Sequence, residues 1–237
     1  MITVNELRSV LNSFGFKEKE DKFTNTYTMG ASIVVDFRKK TITYAPVDED
    51  FKEGIFPTKE KPSKGFVIHR DTTLNFSANE NFVCLICVHL LLKKGYEAKH
   101  IIFEPAFKVG HVNKPSYGDI LILDKEYNPL VLIENKTFGT EFSKECQLFS
   151  YLGPLVNEMG LCENLVLFAV DFDDKDIIPK SHIITLKDNE KRIAELENPK
   201  TFADAKGKYF EVWNETYSKS FETKGLFEDD MDFLMLK

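Results

Sequence analysis

Apolar residues recur at helical spacing near the start of the chain. Leu7, Val10, Leu11 and Phe14 fall on one face of the segment "NELRSVLNSFGF", and Gly15 follows as a stop signal. The pattern predicts a first helix.

Two strands and an irregular segment are predicted next. The stretch "ASIVVDFRKKTITYAPV" alternates in the manner of two strands around the polar turn "RKK". Residues 48–65 are charged and contain two prolines and two glycines, a composition typical of a linker. We therefore expect residues 1–65 to form an N-terminal extension, a helix plus a β-hairpin that ends in a charged linker.

The middle of the chain predicts a helix followed by several strands. The apolar run "FVCLICVHLLL" is preceded by a capping-box pair, Ser77 and Glu80, and closed by Gly95. Strand candidates follow in "HIIFEPAFKV", "GDILILD", "NPLVLIENK" and "NLVLFAVDF", with a helix predicted at "KECQLFSYLGPLV" and an edge strand at "FVIHRDTTLNF". This order predicts an α/β core over residues 66–185, with a mixed central sheet flanked by helices, and a mostly helical segment over 186–237.

Composition narrows the class of protein. The chain has 237 residues, 43% of them hydrophobic, and it contains no apolar stretch of about 18 residues and no basic-then-apolar leader. We therefore expect no membrane span. Four cysteines are too few for a disulfide scaffold, so we expect a cytoplasmic location. The pair Cys84 and Cys87 lies inside the apolar helix and lacks a second pair, so packing is favoured over zinc binding.

The net charge of −7 argues against a free-standing nucleic-acid binder, whose footprint is usually basic. It is compatible with an enzyme that acts on phosphates, because carboxylates that hold a divalent cation belong to such a site.

Three charged residues carry the candidate chemistry. Glu134 and Lys136 are two apart in a predicted strand and share a face, whereas Ile133 and Asn135 take the other. If "GDILILD" and "NPLVLIENK" pair as a hairpin, Asp119 lies beside the end of the second strand. Two carboxylates suit Mg²⁺, and an adjacent ammonium can stabilise developing charge or position an attacking water. The alternative is a surface ion pair at a hairpin end.

Further residues extend the cluster. Gln147 and Tyr151 are four apart on the next predicted helix and therefore share a face, although a half-buried amphipathic helix explains them equally well. Glu80 has two interpretations, as a helix cap or beside the metal.

The ordered set of these motifs resembles the PD-(D/E)xK nuclease core, in its RecB-like branch with a Q-x-x-x-Y helix. Residues 70–170 are similar to the N-terminal nuclease region of type I restriction enzyme R subunits. The resemblance implies a restriction-endonuclease-like fold. It rests on a helix glutamate, "FEP", Gly-Asp, E-x-K-T and Q-L-F-S-Y, in that order.

The resemblance assigns roles to individual residues. It implies that Asp119 and Glu134 bind catalytic Mg²⁺, that Glu80 completes the metal shell, and that Lys136 assists the attacking water. It implies that Gln147 and Tyr151 position the site or the DNA backbone. Glu104, in "FEP", matches a recurrent family position to which we assign no role.

Two positions depart from the family pattern. Asn135 stands where a small or apolar residue is usual, and Gly118 replaces the proline before the aspartate. The backbone carbonyl of residue 135 can still face the metal.

The family context implies partners and a reaction. Type I R subunits break double-stranded DNA after ATP-driven translocation, together with specificity and methyltransferase subunits. The chain has no G-x-x-x-x-G-K-[ST] motif, so we expect ATP to be needed only by a motor domain outside it, toward which residues 186–237 would lead.

The expected function is that of a Mg²⁺-dependent DNA endonuclease, that is, a type I site-specific deoxyribonuclease, and two other functions compete with it. The first is a catalytically silent nuclease-like module that binds DNA or docks onto other subunits. The second is a two-carboxylate glycosidase, which is disfavoured because a lysine beside the acid has no place in that mechanism.

Overall fold

A computed structural model describes residues 2–107, 115–137 and 159, and the backbone of residues 164–173 and 176–185. The predicted helix that carries Gln147 and Tyr151 lies outside the described residues, as does the segment 186–237.

The chain begins with the predicted helix. Helix α1 spans Val4–Ser13, and the N–H of Thr3 donates to Glu6 Oε2 at 2.8 Å, which satisfies one of the backbone donors at the helix start. Gly15 follows the helix with φ +78°, a backbone conformation that glycine adopts at no steric cost.

An antiparallel sheet of four strands follows, in the order β1-β2-β3-β4. The strands are β1 (Lys17–Lys19), β2 (Lys22–Thr26), β3 (Ser32–Asp36) and β4 (Thr41–Ala45). The predicted hairpin is confirmed as β3 and β4, but the expected helix-plus-hairpin extension is wrong in extent, because β1 and β2 precede the hairpin. Their sequence is almost entirely polar, and Phe23 is the one buried residue on them, so hydrophobic periodicity gave no signal.

Residues 48–65 contain no helix or strand, as expected of the predicted linker. The segment is nevertheless attached to its surroundings. Asp48 Oδ2 accepts the N–H of Lys64 at 2.8 Å, and Phe51 is buried. The boundary at residue 65 stays a prediction; buried side chains from both sides of it belong to one hydrophobic cluster.

Helix α2 spans Glu80–Lys93 and is the centre of that cluster. The predicted capping box is wrong, because Asn79 occupies the N-cap position and the N–H of Ser77 donates to Asn75 Oδ1 in the preceding turn. The predicted stop is confirmed. Gly95 has φ +100°, and the N–H groups of residues 95 and 96 donate to the carbonyls of residues 92 and 91, the Schellman pattern.

The second sheet has six strands in the order β12-β11-β10-β9-β6-β5. The remaining strands of the described chain are β5 (Val67–Ile68), β6 (Ile101–Phe103), β7 (Ala106–Phe107), β8 (Ser116–Tyr117), β9 (Ile120–Leu123), β10 (Pro129–Thr137), β11 (Asn164–Asp173) and β12 (Asp176–Thr185). β7 and β8 form a separate two-stranded sheet, and Ala98–His100 form a short 3-10 helix.

The six-stranded sheet is mixed. The pairs β5–β6 and β10–β11 are parallel, whereas β6–β9, β9–β10 and β11–β12 are antiparallel. The predicted α/β class with a mixed sheet is confirmed, and so is the edge strand β5. Strand β12 was not predicted. It contains Pro179. A proline argues against a strand in a sequence pattern, but an edge strand tolerates it.

Helix α2 packs between the two sheets. One face of the six-stranded sheet belongs to the same hydrophobic cluster as α2, through residues that include Phe103, Ile120 and Ile133. On its other side, His89 of α2 stacks on Phe14 and hydrogen-bonds Tyr27. In the part of the chain that is described, no helix has the length and apolarity needed to cross a membrane.

Candidate active site

Strands β10, β9 and β6 lie side by side in the six-stranded sheet where the candidate residues occur. Ile133 of β10 is paired with Ile120 of β9, and Ile120 is paired with Phe103 of β6. Asp119 directly precedes Ile120, and Glu134 directly follows Ile133. The two residues therefore lie one position beyond a register pair, and the predicted hairpin, with Asp119 beside the end of the second strand, is confirmed.

Asp119 is fixed by backbone groups from two neighbouring strands. Its Oδ2 accepts the N–H of Asn135 at 2.6 Å, and its carbonyl accepts the N–H of Glu104 at 2.8 Å. Burial raises the pKa of its carboxyl above the ordinary value, although the Asn135 N–H bond acts in the opposite direction.

Glu134 and Lys136 form a close ion pair on the same strand. Lys136 Nζ lies 2.6 Å from Glu134 Oε1, and the Glu134 residue is 2% exposed. Burial, followed by the charge of Asp119, raises the pKa of Glu134. Burial lowers the pKa of Lys136, but the carboxylate of Glu134 outweighs it, so that the pKa of the ammonium is raised and the group stays charged.

Glu80 reaches the same group from helix α2. Its Oε1 lies 3.6 Å from Lys136 Nζ, and its side chain is 45% exposed. Two of the three predicted carboxylates, those of Glu134 and Glu80, thus approach one ammonium, with Glu80 on the solvent side. The structure gives Glu80 this contact in place of the helix-capping role.

One carboxylate oxygen of the cluster lacks a donor. The carboxylates of Glu134 and Glu80 both approach the ammonium of Lys136, yet Glu134 Oε2 is buried without a hydrogen-bond partner. A buried carboxylate oxygen with no donor is costly unless a cation approaches it. Two carboxylates are a donor set that Mg²⁺ accepts, because it retains several waters and often takes only one or two protein carboxylates. Asp119 and Glu134 therefore fit a divalent cation. Within residues 2–107 and 115–137, no group of three or more His, Cys, Asp or Glu side chains is close enough to hold a metal ion.

Glu104, to which sequence reasoning gave no role, organises the neighbouring segment. It is 3% exposed and has φ +44°, a left-handed conformation unusual for a glutamate. Thr72 Oγ1 lies 2.7 Å from both of its carboxylate oxygens, and the N–H of Thr73 donates to its Oε1 at 2.7 Å. Its own N–H holds Asp119, so one residue links the segment 72–73 to the site. The dipeptide "TT" carries no motif that could have revealed this.

The cysteines of α2 and His69 already have packing or hydrogen-bonding roles. Cys84 and Cys87 are free, buried thiols whose pKa is raised by burial, so packing accounts for the C-x-x-C pattern. His69 lines a cavity of about 580 Å³ between β4 and the segment 47–53. Both of its nitrogens are occupied, since Nδ1 accepts the N–H of Ala106 at 3.1 Å and Nε2 lies 3.0 Å from the Ile55 carbonyl oxygen.

No protein-family model matches the chain, and no curated protein matches it either. Function therefore has to be argued from the cluster itself.

Proposed function

We propose that the chain is a Mg²⁺-dependent DNA endonuclease domain of the PD-(D/E)xK class, acting as the nuclease part of a type I restriction enzyme R subunit. One observation carries the proposal. Glu134 and Lys136 of β10 form an ion pair of 2.6 Å, Asp119 beside β9 accepts the N–H of Asn135 at 2.6 Å, and Glu134 Oε2 is buried without a partner. A surface ion pair at a hairpin end would be exposed, whereas the side chain of Glu134 is 3% exposed and that of Lys136 is 12% exposed.

The residues of the cluster have distinct tasks in this proposal. Asp119 and Glu134 would hold the cation, which supplies Lewis acidity and acidifies a coordinated water. Lys136 is held within 2.6 Å of Glu134 and keeps its proton, so it can orient a water and offset negative charge on the phosphoryl oxygens. Glu80, at the exposed side, takes a second position around the same ammonium.

The mixed sheet with α2 against one face supports a restriction-endonuclease-like fold, because α2 delivers Glu80 to the sheet edge where the hairpin ends. Gln147 and Tyr151 remain candidates for positioning the site or DNA. The context proposed from the resemblance comprises double-stranded DNA, specificity and methyltransferase subunits, a cytoplasmic location and ATP consumption by a separate motor.

The decisive experiment combines metal affinity with DNA cleavage. Calorimetry on the 237-residue chain should show saturable Mg²⁺ binding that Asp119→Asn and Glu134→Gln each weaken by at least about tenfold. Glu126→Gln is the matched control, because it removes one exposed carboxylate at the opposite end of the same hairpin. Its affinity should equal that of the wild type.

Cleavage of supercoiled plasmid provides the second readout. The full R subunit is the enzyme to test, and Asp119→Asn or Lys136→Met should lower its Mg²⁺-dependent cleavage by about 100-fold or more. Undiminished cleavage by both variants would falsify the assignment. Absence of Mg²⁺ binding by the wild-type chain would instead favour the silent docking module.

A further inference from the structure

Arg70 stands at the same end of the sheet as the candidate active site. It follows β5, which pairs in parallel with β6, and Ile68 is in register with Phe103. Across the strand order β10-β9-β6-β5, the residues one position beyond this row of pairs are Glu134, Asp119, Glu104 and His69, and Arg70 directly follows His69. Glu104 connects Arg70 to Asp119, because its N–H donates to the Asp119 carbonyl at 2.8 Å and its Oε2 lies 3.9 Å from Arg70 Nε.

The guanidinium of Arg70 is accessible and largely unused. Its side chain is 50% exposed, and its nearest carboxylate contact, from Nε to Glu104 Oε2, is 3.9 Å long. Its carbon Cζ lies 4.9 Å from the ring centroid of Tyr117. Within the described parts of the chain no hydrogen bond of this guanidinium is observed.

Neutralising Glu104 does not explain this arginine. Both oxygens of the Glu104 carboxylate are already within 2.7 Å of Thr72 Oγ1, and the N–H of Thr73 adds a further bond. An arginine serving as its counter-ion would approach to about 2.8 Å and bind with two parallel N–H groups. At the observed separation of 3.9 Å, Arg70 Nε makes no hydrogen bond to Glu104.

The residues that contact Arg70 are themselves held by hydrogen bonds. Tyr117 donates its hydroxyl proton to Glu53 Oε1 at 2.7 Å, which fixes the ring on which the guanidinium rests. The residues after Arg70 are held by Glu104, whose own N–H is bonded to Asp119. These bonds fix the position of Arg70 relative to Asp119.

We propose that Arg70 binds a backbone phosphate of the DNA strand whose scissile bond lies over Asp119 and Glu134. The inference rests on the proposed function for the identity of the anion as DNA. Because Glu104 links Arg70 to the backbone of Asp119, the contacted phosphate belongs to a nucleotide close to the scissile bond. An arginine suits this role because its planar fork matches a phosphate and Tyr117 orients the plane.

The test is DNA binding in EDTA, where metal coordination and cleavage do not contribute. Fluorescence anisotropy with a labelled duplex, between about 50 and 200 mM salt, gives both the Kd and its salt dependence. Arg70→Gln should raise the Kd about tenfold and reduce the slope of log Kd against log salt by about one. Arg70→Lys should keep the slope and recover part of the affinity, because it keeps the charge and loses the fork.

The matched control is Lys59→Gln, which removes one positive charge from an exposed ion pair with Glu126, near the far end of the β9–β10 hairpin. Its Kd and slope should equal those of the wild type. Equal values for Arg70→Gln and Lys59→Gln overturn the inference, as does a wild-type chain that does not bind duplex. If Arg70→Gln fails to fold, a slope for Arg70→Lys that is lower by one overturns it equally.

The two proposals fail separately. Normal DNA binding by Arg70→Gln, together with Mg²⁺ binding that Glu134→Gln abolishes, refutes the arginine contact and supports the proposed metal site. Weak DNA binding by Arg70→Gln, together with cleavage that survives Asp119→Asn and Lys136→Met, refutes the proposed active site and supports the arginine contact. Arg70→Gln should bind Mg²⁺ with wild-type affinity, because Arg70 is not a ligand.

Discussion

Replacing His89 should remove a pH-dependent component of stability. The imidazole lies on α2, is 2% exposed, stacks on Phe14 at 4.4 Å and has Nδ1 2.7 Å from the hydroxyl of Tyr27. Its Nε2 is buried without a partner. Burial, and secondarily the charge of Lys93, lowers the pKa of His89 from 6.5 to about 4.

The magnitude follows from the protons bound in each state. Above pH 6.5 the imidazole is neutral in both the folded and the unfolded chain, so titration of His89 changes nothing there. As the pH falls from 6.5 to about 4, the unfolded chain takes up a proton that the folded chain refuses, and the free energy of unfolding decreases. At about 1.4 kcal/mol per pH unit, the loss attributable to His89 is about 3 kcal/mol across this window.

Urea unfolding at pH 7.5 and at pH 4.5 measures this loss. His89→Phe retains the ring stacking and cannot titrate, so the pH-dependent loss should be about 2–3 kcal/mol smaller than in the wild type. Tyr27→Phe is the control, since it removes the hydroxyl and keeps the buried imidazole, and its loss should be at least that of the wild type. Parallel pH profiles for wild type and His89→Phe would refute the reasoning.

Two predictions concern backbone positions. Lys40 has φ +54° in the exposed turn between β3 and β4, so Lys40→Gly should relieve left-handed strain and raise the free energy of unfolding by about 0.5 kcal/mol, whereas Lys40→Val should lower it. At Gly65, an added Cβ would meet the carbonyl group of Pro46, whose carbon would be 2.7 Å away. Gly65→Ala should therefore cost about 1–3 kcal/mol in thermal or urea unfolding, while Gly54→Asn, in open space with φ +76°, should cost well under 1 kcal/mol.

The parts of the fold that the sequence predicts well are those with strong periodicity. Helix α2 is apolar on all sides and ends in a glycine, so its existence and its end follow from simple patterns. The β9–β10 hairpin follows from two apolar runs around a polar turn. Because a strand alternates its side chains with period two, this pairing alone brought Asp119 beside Glu134 and put Lys136 on the same face.

The parts that were missed depend on contacts between segments distant in sequence. Strands β1 and β2 are polar, and they form because β3 offers hydrogen bonds to β2, β2 offers them to β1, and Phe23 enters the core. The N-cap is Asn79 and not Ser77, since Ser77 belongs to the preceding turn, where its N–H donates to Asn75 Oδ1. Local residue type alone does not decide between neighbouring polar candidates.

The site illustrates why a motif predicts the reactive residues better than it predicts their support. Asp119, Glu134 and Lys136 are found from spacing because neighbouring strands bring them together. Glu104 and Arg70 have no spacing relation to them, and their positions follow only from the order in which four strands lie side by side. The left-handed backbone conformation of Glu104 is an example of such a supporting feature. That strain is tolerated because the residue bonds Thr72, Thr73 and Asp119 at once, and a conformation held by two separate segments, 72–73 and 119, cannot be inferred from either of them.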